Sequence, residues 1–241
     1  MRVTVVGCSP AWPNPGGVQS GYLVESGESR ILLDCGPGVL PQLLLHERWP
    51  RVDAIVLSHL HLDHWGDLVP WSYGVEWGTG RGTPRVDLWV GSGDAKRLLD
   101  LVDHVGAVPI FEKAFALREY DEGTPFSIGP FTLTGRVVPH YDIRCSALRV
   151  EANGSSVAYS ADCGPNDAVV EIARAADLFL CEATLGELET GRRGHLTEDE
   201  ALATFERSGA RRFVVVHRPA DLELPDAVER GRDGLVLDVG S

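Results

Sequence analysis

The chain lacks the features that mark a membrane-spanning, secreted or nucleic-acid-binding protein. No apolar run in its 241 residues approaches the roughly 18 to 20 residues that span a bilayer. Residues 1–6 enter a strand-like run without a longer apolar segment and cleavage site, so we expect a cytoplasmic protein. Basic residues form no stripe and the net charge is −13, which argues against nucleic acid as a partner. Bound divalent ions can overcome that acidity near a site, so the charge alone does not decide the substrate.

Cysteine is scarce and shows no pairing pattern. The cysteines do not form a Cys-x-x-Cys motif, and their number is odd: Cys8, Cys35, Cys145, Cys163 and Cys181. An odd number without a secretion signal indicates reduced thiols rather than a disulfide framework. Cys163 and Cys181 each adjoin an acidic residue, and we interpret these two as small buried side chains.

Strand-like and helix-like segments alternate along the chain without a linker. Hydrophobic residues make up 44% and charged residues 24%, which is typical of a globular enzyme. Strands are predicted at residues 3–6, 21–25, 30–34, 53–57, 85–90, 126–128, 131–138, 146–151, 156–160, 178–181 and 212–216, and helices at 38–47, 94–105, 167–176 and 198–208. Asn153-Gly154 predicts a hairpin turn. The two similar halves predict one α/β (α+β) domain over residues 1–241, with two sheets packed face to face and helices outside.

Four potential metal ligands lie within six residues, directly after the apolar run 52–57: His59, His61, Asp63 and His64. Side chains two apart in an extended segment share a side, so His59 and His61 can bind one ion together. Asp63 and His64 follow where the chain bends toward a helix, and they point elsewhere. This arrangement favours two adjacent ions. Imidazole and carboxylate are ligands of zinc and its neighbours in the first transition row.

Three further candidate ligands each follow a buried strand. His140 comes after residues 131–138, Asp162 after residues 156–160, and His217 after residues 213–216. Each taken singly is also compatible with an ordinary hydrogen-bonded loop residue. Together with the cluster at residues 59–64, they indicate that several strands deliver His or Asp side chains to one edge of a sheet.

The motif His-x-His-x-Asp-His, followed by an isolated His, an Asp and a late His, resembles the metallo-β-lactamase fold over almost the whole chain. The resemblance implies a four-layer αββα sandwich of two mixed sheets, with two divalent ions at one edge. Zinc is expected, with manganese or iron as alternatives. Asp34 matches an aspartate that supports the metal loop in such proteins. The ligands implied are His59, His61 and His140 for one ion, Asp63, His64 and His217 for the other, and Asp162 bridging both.

Two later segments narrow the resemblance. Residues 176–184 are similar to the strand-plus-Glu segment of ribonuclease Z, and residues 194–201 are similar to its His-x-Thr segment. The resemblance implies that Glu182 orients His195 and that His195 acts as a general acid; with Asp63 they form the expected catalytic set. The alternative is that His195 is an ordinary residue at a helix start, with Thr197 as the N-cap.

The expected activity is that of a dinuclear metal-dependent hydrolase. Two adjacent dications lower the pKa of a shared water, so a bridging hydroxide is the expected nucleophile. Residues 5–10 and 20–23 resemble bacterial small-molecule phosphodiesterases, including atypical class II cyclic-nucleotide phosphodiesterases. We therefore favour a phosphodiesterase acting on a small or nucleotide substrate, and the resemblance also implies a homodimer.

Two other functions stay open. One is tRNA 3′ processing of the ribonuclease Z type, which is weakened by the charge of −13 and by the lack of room for a tRNA-binding arm between His140 and His217. The other is a non-catalytic metal-binding sensor on the same scaffold.

Two segments are candidates for the rim of the site. Aromatic residues interleave with glycines over residues 65–85, where they could form a lid or a surface on which a base stacks. The alternative is that they pack a helix against the sheet or form a dimer contact. We prefer packing for Trp65 and leave both interpretations open for Trp71 and Trp77. Residues 10–17, rich in Pro and Gly, are the second candidate rim loop.

Overall fold

The computed structural model describes residues 1–240. In chain order its strands are β1 (Arg2–Gly7), β2 (Gly21–Ser26), β3 (Ser29–Leu33), β4 (Ala54–Val56), β5 (Val86–Gly91), β6 (Phe115–Tyr120), β7 (Phe126–Ile128), β8 (Phe131–Val138), β9 (Cys145–Ala152), β10 (Ser155–Tyr159), β11 (Leu178–Glu182), β12 (Phe213–Val216), β13 (Glu229–Arg230) and β14 (Leu235–Asp238). The helices are α1 (Val39–Leu44), α2 (Leu62–Trp65), α3 (Leu68–Trp77), α4 (Asp94–Asp103), α5 (Val108–Ala114), α6 (Asp167–Ala173) and α7 (Glu198–Ser208). No helix within residues 1–240 has both the length and the apolar character needed to cross a membrane.

The described strands form two seven-stranded mixed sheets with the same internal pattern. The first sheet has the order β14-β1-β2-β3-β4-β5-β6 and the second β13-β12-β11-β10-β9-β8-β7. In each sheet the strands at one end pair antiparallel and those at the other end pair parallel. The N-terminal half builds the first sheet and the C-terminal half the second, except that β14 returns to pair with β1. The predicted pair of sheets is therefore confirmed.

The core lies between the sheets, because alternate side chains of each strand point to opposite faces. Ile31 and Leu33 of β3 belong to the cluster between the sheets, whereas Leu32 belongs to a second cluster under the outer helices. Ala54 and Val56 of β4 share the inner cluster in the same way. A strand that is covered on both faces has a continuous apolar sequence, and this pattern predicts a buried strand.

Several element boundaries differ from the prediction. The helix expected at residues 38–47 ends at Leu44, since the backbone N–H groups of Leu45 and His46 bond three residues back and tighten the turn. Helix α3 is not predicted from the sequence because it contains Pro70 and Gly74, which disfavour helices. Pro70 is tolerated because it lies in the first turn, where backbone N–H groups have no partner inside the helix. Helix α5, strand β6 and the two short C-terminal strands were also missed.

The turn Asn153-Gly154 connects β9 and β10 as predicted. Both residues have positive φ, 51° and 77°, which suits a two-residue hairpin and explains the Asn-Gly choice. Strands β10, β11 and β12 run parallel, and β8 points the same way because β9 is antiparallel to both β8 and β10. Their carboxyl ends therefore meet at one edge of the second sheet, facing the end of β4.

Candidate metal centre

The cluster at residues 59–64 begins where β4 ends. Ser58 is fixed by Asp34, whose carboxylate accepts hydrogen bonds from the Ser58 backbone N–H (2.7 Å) and hydroxyl (2.8 Å). His61 keeps an extended backbone and is the N-cap of α2, so Asp63 and His64 fall in the first turn of that helix. The change from extended to helical backbone places Asp63 and His64 in a second ligand group, although the His64 ring still lies 4.1 Å from that of His59.

One group of atoms converges around His61. Its Nδ1 lies 3.1 Å from His59 Nε2 and 2.8 Å from His140 Nε2. Asp162 Oδ2 lies 3.8 Å from the Nε2 atoms of both His59 and His140. One donor atom from each of these four residues lies within 4.8 Å of the others, which is the spacing of ligands around a single ion.

A second group adjoins the first and shares Asp162. Asp63 Oδ2 lies 3.3 Å from His64 Nε2 and 3.2 Å from His217 Nε2, and Asp162 Oδ2 lies 3.4 Å from both nitrogens. The structure thus brings together all seven side chains that the sequence singled out. Asp162 is common to both groups, in the position expected of a bridging carboxylate.

The chemistry of this donor set fits divalent cations. His64 Nε2 and Asp162 Oδ1 are buried and have no hydrogen-bond partner among residues 1–240. Buried polar atoms are normally paired, so two unpaired atoms on residues of the same ligand group indicate a place for a ligand. Imidazole nitrogens and carboxylate oxygens suit zinc, manganese or iron.

The far nitrogen of each buried imidazole has its own partner. His64 Nδ1 donates to Asp34 Oδ2 (2.8 Å), and His140 Nδ1 donates to the carbonyl oxygen of Gly194 (2.7 Å). His217 Nδ1 lies 2.9 Å from the hydroxyl of Thr184. Such bonds fix the tautomer and turn the Nε2 lone pair toward the cluster. Asp34 itself lies behind the histidines, in agreement with the supporting place expected for it.

Burial and charge set the protonation of the cluster. Burial lowers the pKa of His59 and His140, which leaves these imidazoles neutral and able to bind a cation. Burial opposes ionisation of Asp63, but hydrogen bonds from His217 and His64 outweigh it and bring the pKa of Asp63 well below its usual range. Burial alone would lower the pKa of His64, but the carboxylates of Asp162 and Asp34 raise it, so a proton and a cation compete for that ring.

Glu182 and His195 form a hydrogen-bonded pair beside the cluster. His195 Nδ1 lies 2.9 Å from Glu182 Oε1, and Glu182 also accepts hydrogen bonds from the backbone N–H groups of Cys163 and Thr184. Burial opposes protonation of His195, but the charge of Glu182 raises its pKa to about 9. The His195 ring stacks on that of His217 with a centroid distance of 5.7 Å.

The local sequence explains where His195 is held. Thr197 is the N-cap of α7, and its side chain and that of Glu200 form a reciprocal capping box. The predicted N-cap role of Thr197 is therefore present together with the Glu182–His195 contact. The two interpretations of this segment are compatible, because the helix start fixes the backbone that carries His195.

A cavity of about 540 Å³ opens over the candidate metal ligands. Its lining includes Gln19, Leu62, Tyr141 and His195. Sequence reasoning missed Tyr141, whose hydroxyl donates to Glu189 (2.7 Å) and whose ring lies 5.6 Å from that of His195. Its only signal is that it follows His140 directly.

The aromatic side chains of residues 65–85 do not line the cavity, and Trp65 and Trp71 pack in the interior. Trp65 is buried, and its indole N–H donates to the carbonyl oxygen of Leu60, which confirms the packing role. Trp71 is fully buried against Trp49. Trp77 is 68% exposed at the end of α3 and does not line the cavity. The five cysteines are free, as expected, and all of them are buried.

The two packed sheets, with the His/Asp cluster at one edge, are the architecture of a metallo-hydrolase. The chain belongs to the beta-lactamase superfamily, since a model of that superfamily's domain matches residues 29–218. It is 30% identical to the probable metallo-hydrolase YhfI of Bacillus subtilis over 91% of this chain and 87% of the relative. The crystal structure of the metallo-beta-lactamase fold protein YhfI from Bacillus subtilis superposes with a TM-score of 0.85 at 25% sequence identity. The superposition covers 98% of this chain and 99% of the YhfI chain. A ribonuclease Z of Myxococcus xanthus is 28% identical, over 90% of this chain and 86% of the relative.

Proposed function

We propose that this metallo-hydrolase is a dinuclear phosphodiesterase that acts on a small or nucleotide substrate. The observation that carries the proposal is the Glu182–His195 pair beside the two ligand groups. A hydrolase whose substrates have good leaving groups needs no general acid. When the leaving group is an alkoxide on phosphorus, an acid must protonate its oxygen.

The charge of the site favours an anionic substrate. Five imidazoles and the two carboxylates of Asp63 and Asp162 would hold about two divalent ions, and two dications against two carboxylates leave a net positive centre. When bound, such ions supply an activated water and neutralise charge on the phosphoryl oxygens. His59, His61 and His140 would hold one ion and Asp63, His64 and His217 the other, with Asp162 between them.

His195 is arranged to deliver a proton. Because Glu182 Oε1 accepts the Nδ1 hydrogen, the remaining proton of the imidazolium is held at Nε2. Glu182 raises the pKa of His195 to about 9, so the protonated ring predominates at neutral pH. The ring lines the cavity over the cluster, from which Nε2 can protonate the leaving oxygen.

The direct test is a hydrolysis screen of zinc- and manganese-loaded protein on bis-p-nitrophenyl phosphate, 3′,5′-cyclic AMP and precursor tRNA. We expect cleavage of the first two substrates and about two ions per chain by elemental analysis. Loss of the second ion in a variant carrying Asp63→Ala and His64→Ala would locate that site. No cleavage of any phosphodiester, thioester or lactam, together with an unaffected cellular phenotype of His195→Ala, would favour the sensor function instead.

Transfer-RNA processing is the second candidate function. It is supported by the Glu182–His195 pair and by the relative named ribonuclease Z. The net charge of −13 opposes it, because phosphate contacts to RNA require cations. Cleavage of precursor tRNA with a steep salt dependence would establish this function over the first.

A further inference from the structure

A second cavity adjoins the one over the metal cluster. Its volume is about 450 Å³, and Trp12, Thr184, Leu185 and Leu222 are among its lining residues. The two cavities are neighbours because Ala11 lines the first and Trp12 the second. Thr184 lines the second cavity, and its hydroxyl lies 2.9 Å from Nδ1 of His217, a member of the cluster. These two links place the second cavity next to the cluster.

The loops around this second cavity are fastened to each other. The side chain of Asn14 donates to the carbonyl oxygen of Arg218 (3.1 Å) and accepts from the backbone N–H of Ala220 (2.8 Å). Arg218 in turn donates to the carbonyl oxygens of Pro219 and Leu222. The loop with Trp12 and the loop with Leu222 are thus held in a fixed relation, so the cavity is formed before any ligand binds.

The lining chemistry excludes a phosphate and favours a flat neutral group. Trp12 is 55% exposed and offers an indole face, with Leu185 and Leu222 as apolar neighbours. The charged side chains in the lining are the carboxylates of Glu187 and Asp221, and no basic residue lines the cavity within residues 1–240. Carboxylates repel a phosphate but accept hydrogen bonds from amino groups. A nucleobase combines an aromatic face with such amino groups at its edge.

We propose that this second cavity binds the base of a mononucleotide substrate, with the base stacked on Trp12 and its amino edge toward Glu187 and Asp221. The phosphodiester group then lies over the metal cluster, the positive part of the site. This assignment rests on the proposed phosphodiesterase function and adds to it the substrate class and the residue that selects it.

The test compares the binding of AMP and of ribose 5-phosphate, which lacks the base. Isothermal titration calorimetry on metal-loaded protein is expected to give an affinity about tenfold or more higher for AMP. Trp12→Ala should remove that advantage and leave ribose 5-phosphate binding unchanged, whereas Trp12→Phe should keep most of it. Trp77→Ala is the matched control, since Trp77 is also exposed but lies outside both cavities; it should change neither affinity.

Equal affinities for AMP and ribose 5-phosphate in the unaltered protein would overturn the subsite, as would an equal loss for both ligands in Trp12→Ala. A short oligoadenylate that binds more than tenfold tighter than AMP would overturn the assignment to a mononucleotide. Hydrolysis of bis-p-nitrophenyl phosphate is measured separately. If that hydrolysis is absent while the base still contributes through Trp12, the phosphodiesterase function fails and the base-binding subsite stands.

Discussion

The floor and the rim of the cavity are built on different principles. The floor, defined by the seven clustered His and Asp side chains, is almost wholly buried and stands on the ends of β-strands and the first turn of α2. The rim, defined by Leu62 and Tyr141 of the first cavity and Trp12 of the second, lies in loops and at a helix start, and Leu62 is 63% exposed. The floor residues are fixed by hydrogen bonds to buried partners such as Asp34, whereas the rim depends on bonds between loops.

This difference separates the two parts of the function. Strand ends fixed by a sheet give the sub-ångström placement that a metal centre and a general acid require. Loops can change without disturbing the sheet, so the choice of substrate is carried there. Variants of the floor should therefore affect all substrates alike, and variants of the rim should affect some substrates only.

The largest effect is expected for Asp162→Asn, which keeps the shape of the side chain and removes the charge shared by both ligand groups. We expect the metal content to fall from about two ions to one or fewer, and activity to fall by about 10³-fold or more on every substrate. Elemental analysis and hydrolysis assays measure both. Asp103→Asn, on the exposed end of α4, is the control and should change neither. Retention of two ions by Asp162→Asn would refute the bridging role.

The proposed acid pair of Glu182 and His195 should give a large effect that depends on the leaving group. If His195 donates the proton, His195→Ala should lower kcat by about 10²- to 10⁴-fold on cyclic AMP, whose leaving group is an alkoxide. Bis-p-nitrophenyl phosphate releases a stable phenolate and should lose much less. An equal loss on both substrates with a reduced metal content would show instead that His195 supports the metal centre.

Glu182→Gln tests the same pair through pH. Glu182 raises the pKa of His195, so the protonated ring is present below that pKa and is lost as the pH rises through it. Replacing the carboxylate lowers this pKa, and the alkaline limb of the kcat profile should move to lower pH. A profile unchanged from that of the unaltered protein would exclude His195 as the acid.

A smaller effect on metal binding is expected for Asp34, which lies behind the floor histidines. Asp34 has a positive φ of 58°, a conformation that Asn also tolerates, so Asp34→Asn removes the charge with little backbone strain. Its carboxylate accepts hydrogen bonds from Ser58, Tyr159 and His64, and the loss should weaken metal binding by about 10- to 100-fold. A chelator competition measures this change. Tyr159→Phe removes one of those bonds and should have a smaller effect.

The floor was predictable from the sequence because four of its residues form the dense motif at residues 59–64 after β4, and the other three each follow a strand closely. His140, Asp162 and His217 are recognisable by their position just after a strand, and strands that run in the same direction bring their carboxyl ends to the same edge. The packing of Trp65 and Trp71 was only partly predictable, since aromatic residues near glycines occur both in rims and in cores.

The rim was not predictable because its contacts join residues that are distant in the chain. Asn14 bonds to Arg218, 204 positions later in the chain, and Tyr141 bonds to Glu189, 48 positions later. Neither pair follows a periodic pattern or a motif. A loop-to-loop hydrogen bond is set by the sheets that bring the loops together, so only the folded chain reveals it.

The smallest effect is expected for Tyr141→Phe, which tests whether the rim is held independently of the floor. The change removes the hydroxyl that donates to Glu189 and keeps the ring beside His195. One hydrogen bond contributes about 1 kcal/mol, so the loop carrying Glu189 should open more often, and trypsin should cut faster at Arg192 and Arg193 in that segment.

Metal content should not change in Tyr141→Phe, and kcat on bis-p-nitrophenyl phosphate should stay within about threefold, because the side chain makes no bond to a floor residue in the described structure. Glu189→Ala removes the acceptor at the other end and should have the same effect on proteolysis if the hydrogen bond is what holds the loop. A loss of metal in Tyr141→Phe would contradict the separation, since it would mean that the rim helps to fix the ring of His140, on which Tyr141 also packs.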